Sequence, residues 1–294
     1  MTMDDMISTR RAALYYEKAD GGRTVCRLCP RGCSVAPGGT GVCLARRNDA
    51  GELYAINYGR VTSLNLDPIE KKPLRRFHPG SMILSAGSFG CNFKCPFCQN
   101  HHISAGEPES GYMAPDTLIR AAISAKTGGN IGVAFTYNEP LIWYEYVLDA
   151  ARIAAGSGLY AALVTNGYIN EAPFRALLPF ISAMNVDLKG DGPFYRDLCG
   201  GRREDVLRTI RLAHAAGIHV EVTTLLVSGY NDNHNAVDEA ARSVAAVSED
   251  IPLHLSRFFP RYKMTGAPPT GAAFVTSAIK TARKYLTYVY GGNM

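Results

Sequence analysis

No apolar run in this 294-residue chain approaches the roughly 18 to 20 residues needed to cross a bilayer, so a membrane-spanning helix is not expected. The first residues, with Asp4 and Asp5, also lack the apolar stretch of an export signal. Charge of one sign is scarce. The 31 Lys and Arg stand against 26 Asp and Glu, and the resulting +5 is too mild and too dispersed to call for a nucleic-acid or membrane-surface partner. The densest basic stretch, residues 70–76, reads as a solvated loop or a contact for an acidic partner. No low-complexity tract or sequence repeat is evident beyond the period of secondary structure. What is present is a 47% hydrophobic composition, enough for one large core with a small appendage, in a cytoplasmic setting.

Eight cysteines in a chain without an export signal meet a reducing compartment, where such residues bind metal or do redox chemistry more often than they form disulfides. Four lie at Cys26, Cys29, Cys33 and Cys43, three at Cys91, Cys95 and Cys98, and Cys199 stands alone. Two metal-ligand clusters are thus conceivable.

From about residue 81 short apolar runs alternate with amphipathic stretches, the pattern of a repeated strand-helix unit with a parallel sheet. Strands are expected at 81–85, 132–136, 160–165, 183–188, 219–226 and 252–256, each ended by Gly, Asn, Asp or Pro. Helices are expected at 115–126, after Pro140, and at 171–180, 204–216, 236–247 and 276–286. The expected fold class is therefore α/β: a partial (β/α)6 TIM-like barrel over residues 81–294, with a doubly wound sheet as the competing arrangement. Residues 1–80 read as a small cysteine-rich N-terminal module. In it the alternating stretches 53–58 and 61–66 suggest a hairpin around Gly59.

Directly after the first expected strand comes Gly87-Ser88-Phe89-Gly90-Cys91-Asn92-Phe93-Lys94-Cys95-Pro96-Phe97-Cys98-Gln99-Asn100. Eight cysteines in 294 residues would produce its CxxxCxxC spacing by chance with a probability of about 0.6%. A compact loop broken by Gly90 and Pro96 can fold back so that three thiolates hold three corners of a four-iron cluster, leaving the fourth iron open. Phe93 and Phe97 would limit water and oxygen there. Zinc is the rival, with His101 or His102 as its fourth ligand.

The loop, with an aromatic residue before its last cysteine, resembles the signature of the radical SAM superfamily. Within it the chain resembles the activating-enzyme branch related to pyruvate formate-lyase activase, and more narrowly the radical SAM member of the AmmeMemoRadiSam system. The narrower likeness rests on Ala13-Leu14-Tyr15-Tyr16-Glu17-Lys18, Cys26-Arg27-Leu28-Cys29-Pro30, Asp67-Pro68-Ile69-Glu70-Lys71-Lys72-Pro73-Leu74, Gln99-Asn100 and Tyr137-Asn138-Glu139-Pro140. It covers essentially the whole chain. The resemblance implies a 4Fe-4S cluster on Cys91, Cys95 and Cys98 with S-adenosylmethionine (SAM) on its open iron. Reductive cleavage of SAM would then give a 5'-deoxyadenosyl radical that abstracts hydrogen from a protein, peptide or small-molecule substrate, fed by a donor such as flavodoxin or ferredoxin. A glycyl-radical enzyme activase is one alternative. A non-catalytic iron-sulfur or zinc protein that carries electrons or serves as a scaffold is another.

The resemblance also points to the other strand ends for SAM contacts. Tyr137, Asn138 and Glu139 resemble the segment that receives the SAM amino group, with Tyr137-Asn138 in place of two glycines; an N-cap is the plainer reading of Asn138-Glu139. Thr165, Asn166 and Asp187 match positions near the methionine carboxylate. Lys189 can neutralise a carboxylate or simply pair with Asp187 or Asp191 at the surface. His254 resembles a histidine near the adenosyl group, and a structural strand histidine is its alternative. Arg257 and Arg261 face an anionic substrate or solvent. Cys199 is a substrate-facing thiol or a buried one. Four thiolates close a metal site, so Cys26, Cys29, Cys33 and Cys43 suit structural zinc, an auxiliary iron-sulfur cluster or no stable metal, and spacing leaves the three open.

Overall fold

The computed structural model describes residues 11–294, so the export-signal reading at Asp4 and Asp5 lies outside the described residues. Its centre is an open eight-stranded sheet of β1 (Ser63–Pro68), β2 (Met82–Gly87), β3 (Asn130–Phe135), β4 (Tyr160–Thr165), β5 (Ala183–Asp187), β6 (His219–Leu226), β7 (Leu253–Arg257) and β8 (Val289–Gly292). Spatial order follows chain order. The ladders from β2 to β8 are all parallel, while β1 lies antiparallel on β2. A doubly wound sheet needs a reversal of strand order, and here there is none.

The six expected strands are β2 to β7. They were legible because a parallel strand covered on both faces is a short apolar run. After each comes helical structure: α1 (His101–Ser104) and α2 (Pro115–Ser124) follow β2, then α3 (Tyr144–Gly156), α4 (Glu171–Leu177), α5 (Arg203–Ala215), α6 (His234–Ala245) and α7 (Ala272–Ala282). Pro115 opens α2 at its first turn, where a missing N–H has no cost. Pro140 instead sits in a 3-10 turn, Pro140–Ile142, ahead of α3.

The hairpin expected around Gly59 does not form. Glu52–Ala55 pairs with Arg46–Asp49 and Arg11–Ala12, whereas residues 63–68 become β1 at the edge of the main sheet. The main sheet thus begins before residue 81. Gly59 does turn the chain (φ 70°), but Arg60–Val61 pairs with Gly111–Tyr112, and the Tyr112 ring fills the space a Cβ on Gly59 would need. Alternation alone does not choose a partner, and the exposed edge of β2 offered the longer ladder.

The helices pack over one face of the sheet in the main core. On the other face Ile83, Ala134, Ala162 and Ala183 are covered by Ile69, Leu74 and Phe77. The basic stretch is therefore no free loop. Lys72 is buried, with its ammonium 2.8 Å from Asp67 and 4.6 Å from the centre of the Tyr137 ring.

Candidate functional site at the strand C-termini

β2 ends at Gly87, and the three-cysteine loop begins at once. Gly90 has φ 85°, and a Cβ there would overlap the carbonyl oxygen of Cys43. Backbone strain and a clash with backbone thus act together, and Gly90→Ala is expected to destabilise the fold by about 3 kcal/mol, measured by denaturant unfolding.

The loop is held at both ends by the turn after β3. Asn138 accepts from the Ser88 N–H (2.9 Å) and donates to the Phe89 and Gly90 carbonyls (3.1 and 3.2 Å), while the Asn100 amide donates to the Tyr137 carbonyl (2.7 Å). Inside the loop the Asn92 amide donates to the Tyr168 carbonyl (2.7 Å). Phe93 packs on Tyr168 and Tyr195, and Phe97 on Phe194. Both loop phenylalanines are buried.

Glu139, Thr165 and Asn166 form one buried network beside Cys91. The Glu139 carboxylate accepts from the Leu141 N–H (3.0 Å), the Asn166 N–H (2.8 Å) and the Thr165 hydroxyl. The Asn166 amide then donates to Asn92 (2.8 Å) and to the Cys91 sulfur (3.6 Å). Burial raises the Glu139 carboxyl from 4.5 to about 7, although its three hydrogen bonds work the other way. The N-cap reading is realised as well, since Glu139 caps the Pro140–Ile142 turn. Among the described residues no cationic side chain hydrogen-bonds to this carboxylate, which can accept further hydrogen bonds.

Asp187 and Lys189 pair at 2.9 Å. This is not a free surface pair, because the Lys189 side chain is only 15% exposed. Burial opposes the charge on Lys189, but Asp187, Cys95 and Cys199 outweigh it and hold the ammonium well above its ordinary value. Cys199 is fully buried and hydrogen-bonded to Cys95, which lowers the Cys95 thiol and raises its own. A substrate-facing role for Cys199 is therefore replaced by a place behind the loop.

Two expected contacts are turned elsewhere. Tyr137 (φ 73°) directs its hydroxyl to Asp67 at 2.7 Å. His254 shares a row of the sheet with Thr223 and Asp187, but its Nε2 lies 2.6 Å from Glu221. Glu221 also meets His219 (2.9 Å) and the Arg76 N–H (2.7 Å); burial raises its carboxyl, and these hydrogen bonds outweigh that and hold it at about 2. Arg257 donates to the Thr270 carbonyl at 2.9 Å and lies over Phe259. Sequence reading missed Asn92 and Glu221. Asn92 occupies an unspecified position of the cysteine motif, and Glu221 showed only as a charge inside the apolar run of β6.

The thiols of Cys95 and Cys98 both add to the upward push that burial exerts on Cys91, so the three lie within electrostatic reach of one another. Yet no three described His, Cys, Asp or Glu side chains are gathered as the ligands of a single ion are. Zinc at 2.3 Å from four tetrahedral sulfurs would bring those sulfurs to about 3.8 Å of each other, whereas an iron-sulfur cube spreads its thiolates to its corners. His101 is stacked on Tyr262 instead of completing a zinc set. The donor set suits a four-iron cluster.

Cys26, Cys29, Cys33 and Cys43 line one small cavity together with Arg46. Burial pushes the Cys29 thiol to about 12 and the Cys43 thiol to about 11.

A parallel α/β sheet with a cysteine loop and a buried carboxylate at its C-terminal edge defines a cofactor-binding protein of the strand-end type. The radical SAM superfamily matches residues 87–244, from the end of β2 almost to the end of α6, and the chain belongs to that superfamily. Membership implies a 4Fe-4S cluster and SAM, and the superfamily's members are catalytic. An uncharacterized protein of Methanocaldococcus jannaschii is 41% identical over 292 residues, covering 97% of this chain and 85% of its own. The benzylsuccinate synthase activating enzyme of Thauera aromatica is 24% identical over 192 residues, 62% of this chain and 57% of that one. Among solved structures, Streptococcus suis SuiB bound to precursor peptide SuiA superposes with a TM-score of 0.56 at 14% identity, over 69% of this chain and 46% of that chain. No described helix is long and apolar enough to cross a membrane.

Proposed function

We propose that this chain is a radical SAM enzyme that reductively cleaves SAM and uses the resulting 5'-deoxyadenosyl radical to abstract hydrogen from a substrate. Cys91, Cys95 and Cys98 ligate the 4Fe-4S cluster. Glu139 receives the SAM ammonium, with Thr165 and Asn166 fixing its carboxylate, and Asp187 and Lys189 border the methionine end. Tyr137 and Asn138 shape the turn that holds the loop, and His254, held by Glu221, would border the adenosyl group. When bound, the cluster supplies one electron to the sulfonium, whose carbon-sulfur bond then breaks to methionine and the radical. The chain's own residues bind, orient and exclude water. Residues 81–294, joined by the edge strand β1, act as a partial (β/α)6 barrel, and the cysteine-rich remainder as an N-terminal module. A reduced flavodoxin or ferredoxin supplies the electron in the cytoplasm, and the substrate is a protein, peptide or small molecule.

The observation that carries this reading is the buried Glu139 carboxylate, linked through Asn166 to the Cys91 sulfur. A glycyl-radical activase is the second reading, favoured by the likeness to a relative named as an activating enzyme. Anaerobic protein loaded with cluster and SAM, given dithionite or reduced flavodoxin, should release 5'-deoxyadenosine, read by chromatography. Protein that binds both and releases none under either reductant sinks the proposal in favour of an electron carrier or scaffold. Co-purification of a glycyl-radical protein marks the activase.

A further inference from the structure

The radical loop uses three of the eight cysteines, and four of the others meet in the N-terminal region. Cys26, Cys29, Cys33 and Cys43 line one cavity, closed by Leu28 and Ile142. Arg46 lines it too and is 1% exposed. Its Nη1 donates to Glu145 at 2.7 Å, but its Nε and Nη2 have no partner. Leaving buried guanidinium donors unused is costly, so the cavity is built for something that accepts hydrogen bonds and carries negative charge. A metal group bound by four thiolates is both. Among the described residues no three His, Cys, Asp or Glu side chains are grouped to hold one metal ion, and an iron-sulfur cube holds its thiolates farther apart than a single ion does.

We propose that Cys26, Cys29, Cys33 and Cys43 ligate a second four-iron cluster, with the Arg46 Nε–H and Nη2–H donating to its sulfurs. Four cysteines fill all four iron positions, so this cluster has no open site for SAM and suits electron storage. It lies directly behind the radical loop. The Cys43 carbonyl occupies the place a side chain on Gly90 would take, and the Arg31 Nε–H donates to the Asn92 carbonyl at 2.8 Å. A one-electron donor of the flavodoxin class can thus reduce the N-terminal cluster, which passes the electron to the cluster on Cys91, Cys95 and Cys98. This last role rests on the radical SAM reading; the metal site itself does not.

The test is the full-length Cys91→Ala/Cys95→Ala/Cys98→Ala protein, reconstituted anaerobically with iron and sulfide and examined for iron, sulfide and zinc content, by Mössbauer spectroscopy and by EPR after reduction. About four irons and four sulfides per chain are expected, with an EPR signal that SAM leaves unchanged, against about eight irons in the wild type. Stoichiometric zinc without iron, or neither metal, overturns the second cluster. Adding Cys26→Ala and Cys43→Ala to the wild type should halve its iron and keep the SAM-sensitive signal, which guards against misfolding of the triple variant. A wild type with only a SAM-sensitive cluster defeats this inference and spares the proposed function, whereas one lacking that signal defeats the proposed function alone. Arg46→Lys should lower the midpoint potential of the SAM-insensitive cluster by removing hydrogen bonds to sulfur, and an unchanged potential removes Arg46 from the site.

Discussion

Anaerobically reconstituted Cys91→Ala, Cys95→Ala and Cys98→Ala proteins are each expected to form 5'-deoxyadenosine only at the background of a cluster-free control. Three thiolates are the minimum that holds a four-iron cluster while leaving one iron for SAM, so no single loss is compensated. The buried neighbour Cys199 does not rescue the Cys95 variant in this expectation, because it sits behind the loop at the end of a helical turn and its carbonyl is fixed by the Lys94 N–H (3.0 Å). Cys199→Ala itself should keep cleavage within about tenfold of wild type, and Asn166→Ala, which loses a donor to Cys91 and to Asn92, should fall by about 10- to 100-fold. Quantified 5'-deoxyadenosine against bound iron separates loss of chemistry from loss of cluster. A Cys98→Ala protein that cleaves SAM at the wild-type rate would refute the ligand assignment.

The second large effect concerns Glu139. Its carboxyl moves from 4.5 in the unfolded chain to about 7 in the fold, with burial as the main cause. The folded state therefore holds that proton more tightly. The stability this provides is fully present below pH 4.5 and is lost as pH rises through about 7, a change of about 3 kcal/mol. Glu221, held at about 2, contributes stability that is lost only as pH falls from about 4.5 toward 2, so it adds little slope above about pH 5. Thermal melts of SAM-free protein at about pH 5 and pH 8 should show a destabilisation at the higher pH that Glu139→Gln lacks. Bound SAM acts in the opposite sense, since its ammonium favours the carboxylate. SAM affinity should rise by up to tenfold per pH unit between about pH 5 and 7, and Glu139→Gln should raise Kd roughly 100-fold, both read by calorimetry. Equal pH slopes in wild type and variant would show that Glu139 does not titrate in this range.

Much of the sheet could be read from local pattern because β2 to β7 are short apolar runs closed by polar residues. β8 escaped, since Val289–Gly292 ends in two glycines and resembles a tail. β1 escaped for another reason. Its alternation fits any ladder, and only the free edge of β2 chose it. At the site the three loop cysteines were legible from their spacing, and Glu139 from the resemblance of its segment to one in related enzymes. The partners that give them their properties were not: Asn166 reaches Cys91 across 75 residues, and Arg46 meets Glu145 across 99.

The sequence by itself determined the cysteine loop, the six parallel strands and the polar residues at their ends, because each depends on neighbours within a few positions along the chain. Tertiary structure alone decided which polar residues face the loop, which way Tyr137 and His254 turn, and that four N-terminal cysteines share one cavity with a buried arginine. Those outcomes depend on burial and on hydrogen bonds between distant segments, and these exist only once the sheet has brought the segments together.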